Sequence, residues 1–292
     1  MRGSLRRFLS IAAICLLGVT MLVGLTIACE DLRLSADEFF DAQRLYDVSV
    51  QSTLGLTDDD VVALAALDGV EAAEGSWDET AYTQVGGARH SVAVHALTAQ
   101  GMNEPYLIEG RLPESANEVA VTSEYLEESG KQLGDILTFS ADDADSELFE
   151  QRDYTIVATV IDPTSVAAKN GSSSFRATGA KYAFFVPAAA VTSNVYSVVY
   201  LRVSGAAQLN GFSGAYQERV SEVAAKVEAI KGEREAAREQ EVRADAEAQV
   251  DEAEADANAR LATGEQQLAD AQATIDDALA QIADGRAQLA RQ

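Results

Sequence analysis

The sequence predicts an α+β architecture in three parts: an N-terminal transmembrane helix, a mixed or antiparallel-sheet domain with ferredoxin-like, split-βαβ elements, and a long C-terminal coiled-coil helix. Three observations carry this. An uncharged apolar run lies between basic and acidic flanks at the start. Short alternating segments separated by Gly, Pro, Asn and Asp turns fill the middle. A proline-free stretch rich in Ala, Glu, Gln, Arg and Asp forms the end. The corresponding boundaries are 1–30, 31–210 and 211–292.

The apolar run, Phe8 to Cys29, forms a helix of roughly 33 Å, against a hydrocarbon core of about 30 Å. Arg2, Arg6 and Arg7 precede it, and Glu30 and Asp31 follow it. The positive-inside tendency puts the N-terminus in the cytoplasm and the remainder outside. Two rival readings stand beside the anchor. A secretory signal has a shorter apolar region and a small-x-small cleavage site, which is missing here. A lipoprotein signal would acylate Cys29; Ala28 fits it, but Thr26 stands where a Leu is usual.

In the middle, Tyr46 to Ser52 alternates as a strand. Thr57 caps a helix whose first turn holds Asp58, Asp59 and Asp60, matched to the positive end of its dipole. Val61, Leu64, Ala65 and Leu67 are its expected buried face. A strand around Trp77 to Thr83 turns at Gly86 and Gly87 into Arg89 to Thr98. On that first strand, Trp77 and Tyr82 have opposite parity, so at least one is expected in the core. Gly110 and Pro113 fix a turn before the strand 118–122, residues 123–129 make one or two helical turns, and Gly134 and Asp135 turn into the strand 136–140. Strands at 154–161, 182–186 and 195–203 complete one sheet, and 164–180 is read as a mobile loop.

The C-terminal stretch begins its apolar stripe with Val220, Val223, Val227 and Ile230. A strict seven-residue repeat follows at Leu261, Leu268, Ile275, Ile282 and Leu289. With these as a, the d positions are Gly264, Ala271, Ala278 and Gly285. Such a period implies a left-handed coiled coil, and small d residues let two helix axes approach closely. The sequence reads as a piece of a longer protein, because a single amphipathic helix needs cover for its stripe.

Composition excludes several functions. The formal net charge of −25 argues against nucleic-acid binding. There is no P-loop, no G-x-S-x-G and no H-E-x-x-H. His90 and His95, the only two histidines, lie on opposite faces of one strand and are not expected to share a metal. Asp142, Asp143, Asp145, Glu147 and Glu150 form an acidic loop without the glycine of a calcium loop. Asn170 opens a glycosylation sequon in form only. No cofactor, no metal and no enzymatic activity are expected.

The ordered set Glu109, Gly110, Arg111, Leu112 and Pro113, then Asn117, Glu118 and Val119, then Leu133, Gly134 and Asp135, resembles the periplasmic core domain of MacB- and FtsX-like ABC-transporter permeases. Tyr154 to Val160 is similar to the strand that follows in that family. The resemblance covers about residues 1–205. It implies a permease subunit driven by a separate cytoplasmic ABC ATPase, working with a second permease copy or homologue, embedded in lipid, and acting on an extracytoplasmic protein, peptide or other substrate. In that family the motif residues Gly110, Arg111, Pro113, Glu118, Gly134 and Asp135 are architectural. Some such permeases also carry an antiparallel coiled-coil hairpin, which implies a returning helix against 261–289. The alternative is a single-pass membrane adaptor with an interaction rod and no transport role.

Overall fold

The apolar run forms part of one continuous helix, α1 (Arg2–Ala42), in the computed structural model, which describes residues 2–141, 153–165 and 180–289. Its stretch from Phe8 has a mean hydropathy of 2.5 and no buried residue in the apolar window, so it is long and apolar enough to cross a membrane. Leu16, Leu17, Met21 and Leu22 all stand exposed along it.

A small three-stranded sheet follows. Strand β1 (Val48–Leu56) leads through α2 (Asp58–Ala65) to β2 (Val70–Ser76), and β11 (Tyr196–Val203) lies between the two strands, antiparallel to both. This is the expected split-βαβ unit. The Thr57 N–H donates to Asp60 Oδ2 at 2.8 Å, which closes the first turn of α2. On one face of the sheet Leu56, Val199 and Leu201 meet Leu64 of α2. Val227 and Ile230 of the last helix, α4 (Gly214–Leu289), join the same cluster. On the other face Val198 and Tyr200 pack against Met102 and Tyr46. Ala65, expected in the buried face of α2, is exposed, because the helix presents Val61, Leu64 and Leu67 to the sheet instead.

The remaining strands build a second, eight-stranded sheet instead of extending the first. They are β3 (Asp78–Val85), β4 (Ala88–Leu97), β5 (Tyr106–Gly110), β6 (Glu118–Thr122), β7 (Ile136–Thr138), β8 (Ser140–Ala141), β9 (Asp153–Ile161) and β10 (Tyr182–Pro187). Their order is β5-β9-β6-β10-β4-β3-β8, with β7 also on β9. The β10–β4 and β6–β9 pairs are parallel and the rest antiparallel. The single strand expected at 136–140 is split: β7 pairs with β9, and β8 pairs with β3.

Every residue of β10 is buried, as a strand covered on both faces should be. One face holds Val92, Val94, Val121, Ile156 and Phe184 beneath Tyr125 of α3 (Ser123–Ser129). Phe139 stacks on Tyr154 at 4.5 Å, and Tyr125 meets Phe184 edge-on at 4.8 Å. The β3–β4 hairpin turns on Gly86 and Gly87, both at positive φ, the twist that suits a two-residue hairpin. Trp77 and Tyr82 are each only half-buried. Trp77 sits between β2 and β3, donates its indole N–H to Val195 O at 2.7 Å and packs on Tyr196, while Arg89 covers the Tyr82 ring.

Two compact units result, Met1–Gly232 and Glu233–Gln292, and their boundary falls inside α4. The first holds both sheets. The second is helix, supported by local ion pairs such as Arg243–Glu239 and Arg260–Asp256.

Candidate functional site

The motif residues of the middle domain converge on one strand, β9. Gly110 ends β5 at φ +89°, and a Cβ there would sit 2.1 Å from Val157 O. Only glycine permits this approach. The Arg111 N–H then donates to Val157 O at 3.3 Å. Pro113 is buried in the turn that follows. Glu118 closes that turn: its carboxylate accepts from both terminal nitrogens of Arg111 and from the backbone N–H groups of Glu114 (2.9 Å) and Ser115 (3.2 Å). The Arg111 guanidinium, followed by those two amides, holds the Glu118 carboxyl at about 2, well below the usual carboxylate range.

Gly134 and Asp135 reach the same strand from the other side. Gly134, at φ +92°, donates its N–H to Ile156 O at 2.8 Å. The Ile156 N–H returns to Asp135 O, and the Asp135 carboxylate caps Gln132 N at 2.9 Å. All six residues thus shape backbone around residues 155–158, and the charges of Arg111, Glu118 and Asp135 are spent on neighbouring donors and acceptors.

A second cluster joins the two sheets. Asp78 Oδ1 accepts from His95 Nδ1 at 2.5 Å, and its other oxygen accepts from the Tyr200 hydroxyl. Asp78 and His95 face each other across β3 and β4, while Tyr200 belongs to β11 of the small sheet. The carboxylate keeps the proton on Nδ1, so Nε2 is left as an acceptor. Neither that nitrogen nor Asn103 Nδ2 has a hydrogen-bond partner among the described residues. Both residues line a solvent-open cleft of about 280 Å³, together with Ser76, Thr98 and Phe185. Ser76 donates its hydroxyl to Ala96 O, away from the histidine. The cluster therefore presents no nucleophile beside a base, and His95 contacts Phe185 rather than His90, which lies against Tyr182. Among the described residues no three His, Cys, Asp or Glu side chains converge as a metal set.

The third cluster is a joint between the outer end of α1, the small sheet and the start of α4. Asp37 of α1 accepts from Gly211 N at 2.6 Å. Asp47, just before β1, accepts from the Tyr216 hydroxyl and from Val203 N, each at 2.6 Å. Burial, then Asp47, pushes the Tyr216 hydroxyl well above its ordinary pKa. Lys226 reaches Asp68 at 2.6 Å, and Arg219 donates to Ser204 O. Beneath them Val203, Ala206 and Val223 are buried together. Sequence reasoning singled out Val223 but missed Asp37, Asp47 and Tyr216. The available signal was their placement at element ends, where polar side chains meet unpaired backbone groups.

The heptad residues lie on one uninterrupted helix. Leu261, Leu268, Ile275, Ile282 and Leu289 are 54–73% exposed, with Leu279 beside them at 59%. Ala271 and Ala278 are exposed as well, and a Cβ on Gly264 or Gly285 would meet nothing within 4 Å. The acidic loop at 142–150 and the sequon at Asn170 lie outside the described residues.

No protein-family model matches the sequence, and no curated protein matches it. Among solved structures, the chain is similar to the extracellular domain of the noncanonic ABC-type transporter YknZ from Gram-positive bacteria, at 14% identity and a TM-score of 0.35 over 54% of this chain and 78% of that one. It is also similar to the periplasmic region of MacB from Actinobacillus actinomycetemcomitans, at 12% identity and a TM-score of 0.35 over 61% and 75%. These structural neighbours are extracytoplasmic domains of ABC-type transporter permeases, and the likeness is one of fold.

Proposed function

We propose that this chain is the membrane-anchored, extracytoplasmic part of an ABC-transporter permease, without enzymatic activity of its own. Its N-terminus lies in the cytoplasm, α1 crosses the bilayer, and both sheets and α4 lie outside. A separate cytoplasmic ATPase supplies the work, and a second permease copy or homologue completes the membrane part. The output is export of a substrate or activation of an extracytoplasmic protein or peptide.

The observation that carries this reading is the joint at Asp37, Asp47 and Tyr216. A helix that crosses a membrane and a helix about 114 Å long are both tied to one small sheet by charged hydrogen bonds at 2.6 Å. Displacement of α1 is passed to α4 through rigid elements rather than through a flexible linker. The basic residues before the apolar run and the acids after it support the orientation. The ordered turns on β9, behind such an anchor, support the kind of domain.

The test is isolation of the protein from its own membranes in mild detergent. It is expected to bring down an ATP-hydrolysing subunit, and hydrolysis is expected to depend on that association. Isolation without any such subunit, or hydrolysis indifferent to this chain, would refute the proposal and leave the single-pass adaptor, whose rod the exposed heptad face would serve.

A further inference from the structure

We propose that the heptad face of α4 pairs with the same face of a second copy of this chain, antiparallel, in the register that sets Ile275 opposite Ala278. The inference does not depend on the transporter reading.

The argument starts from glycine. Gly264 and Gly285 sit in mid-helix, where glycine costs roughly 0.5–1 kcal/mol relative to alanine. Their own chain gives no reason for them, since a Cβ at either would be in open space. Their d positions do give one. In the stated register Leu268 faces Gly285 of the second copy, Ile275 faces Ala278, Ile282 faces Ala271 and Leu289 faces Gly264. Each larger side chain meets a smaller one: leucine meets glycine in the outer layers and isoleucine meets alanine in the inner ones. The two-fold axis repeats every layer. Interiors fill at crystal-like density only when sizes alternate in this way.

Charge selects the same register. The flanking e positions are Glu265, Gln272, Leu279 and Arg286. In an antiparallel pair e faces e, so Glu265 meets Arg286 of the second copy at both ends, and Gln272 meets Leu279 twice. Both charged residues are exposed. A parallel pair would stack glycine on glycine at 264 and 285, which leaves voids at those layers. Its g-to-e pairs would be Gln267 with Gln272, Thr274 with Leu279 and Gln281 with Arg286, with no opposite charges among them. An antiparallel contact forms between arms that lie along one membrane or reach from two facing ones.

The test uses the full chain in mild detergent, with Cys15→Ser and Cys29→Ser to clear the native thiols. Glu265→Cys combined with Arg286→Cys is expected to give a disulfide-linked dimer on mild oxidation. Within one chain those positions lie about 31 Å apart along the helix, so the bond can form only between copies. Either cysteine alone, or Leu268→Cys alone, is expected to cross-link little, because equal positions are then at least about 25 Å apart. In sedimentation, Glu265→Arg or Arg286→Glu alone is expected to weaken the dimer about tenfold, and the two together to restore it to within about threefold. Helical circular dichroism reports that the arm stays folded in each variant. Efficient self-cross-linking of the Leu268→Cys chain, a monomer at all micromolar concentrations, or failure of the double charge swap to rescue would each overturn the proposal.

Discussion

Gly110 and Gly134 both adopt positive φ, yet their surroundings separate two costs. Gly110→Ala adds a clash with Val157 O to the backbone strain, whereas Gly134→Ala meets nothing within 4 Å. The first is expected to lose at least about 3 kcal/mol and the second about 1–2 kcal/mol, measured by thermal or denaturant unfolding. Glu118 makes a pH prediction. Its carboxyl is more acidic in the folded chain than in the unfolded one, so it contributes stability above about pH 4.5 and loses that contribution as pH falls towards 2. Glu118→Gln is expected to be less stable at neutral pH and to show a flatter decline between those limits. Tyr154 carries the opposite lesson. Burial pushes its hydroxyl up to about 12, and that oxygen has no hydrogen-bond partner among the described residues. Tyr154→Phe keeps the stack on Phe139 and removes an unsatisfied group, so its melting temperature is expected to match or exceed that of the native chain.

Elements explain why these turns exist. Strand β9 is paired by β5, β6 and β7, and the turns at Gly110 and Gly134 deliver the first and last of these to it. The alternation of β1 and β6 and the glycine turn at 86–87 were legible in the sequence, because strand parity and positive φ are local properties. The division of 136–140 between two partners was not legible. A three-residue strand and a two-residue strand share one local pattern, and only the positions of β9 and β3 part them. At the root of α4 a single carboxylate holds both a strand end and a helix start. Asp47→Ala leaves Val203 N and the Tyr216 hydroxyl without their acceptor, and is expected to cost about 2–3 kcal/mol. Hydrogen exchange should quicken first at residues 203–220 and leave β10 protected.

The whole molecule combines units of different cohesion. The first unit buries aromatic and branched side chains on both faces of its large sheet, while the second leaves its apolar residues exposed along one helix. Heating is expected to separate them. The near-ultraviolet signal of Trp77 should vanish in one cooperative step. The helical signal should also show a broad earlier phase, shifting upwards with protein concentration as the arms pair. A single coincident transition independent of concentration would contradict this expectation. The acidic excess keeps both units soluble but takes no part in their cohesion, since the ion pairs present are local or exposed.

By itself the sequence determined what short-range physics encodes: an apolar helix as thick as a bilayer, the split-βαβ unit around α2, the glycine turns, and a seven-residue seam with large and small residues at fixed phase. The tertiary structure alone decided which distant segments meet. It divided the strands into two sheets, placed β11 between β1 and β2, joined Asp78 to His95 and Tyr200, and brought Tyr216 to Asp47 across 169 residues. Periodicity and turn chemistry act over a few residues and can be read along a line. Strand order and buried polar pairing depend on which of many equally alternating segments come together in space, and no local pattern ranks those choices.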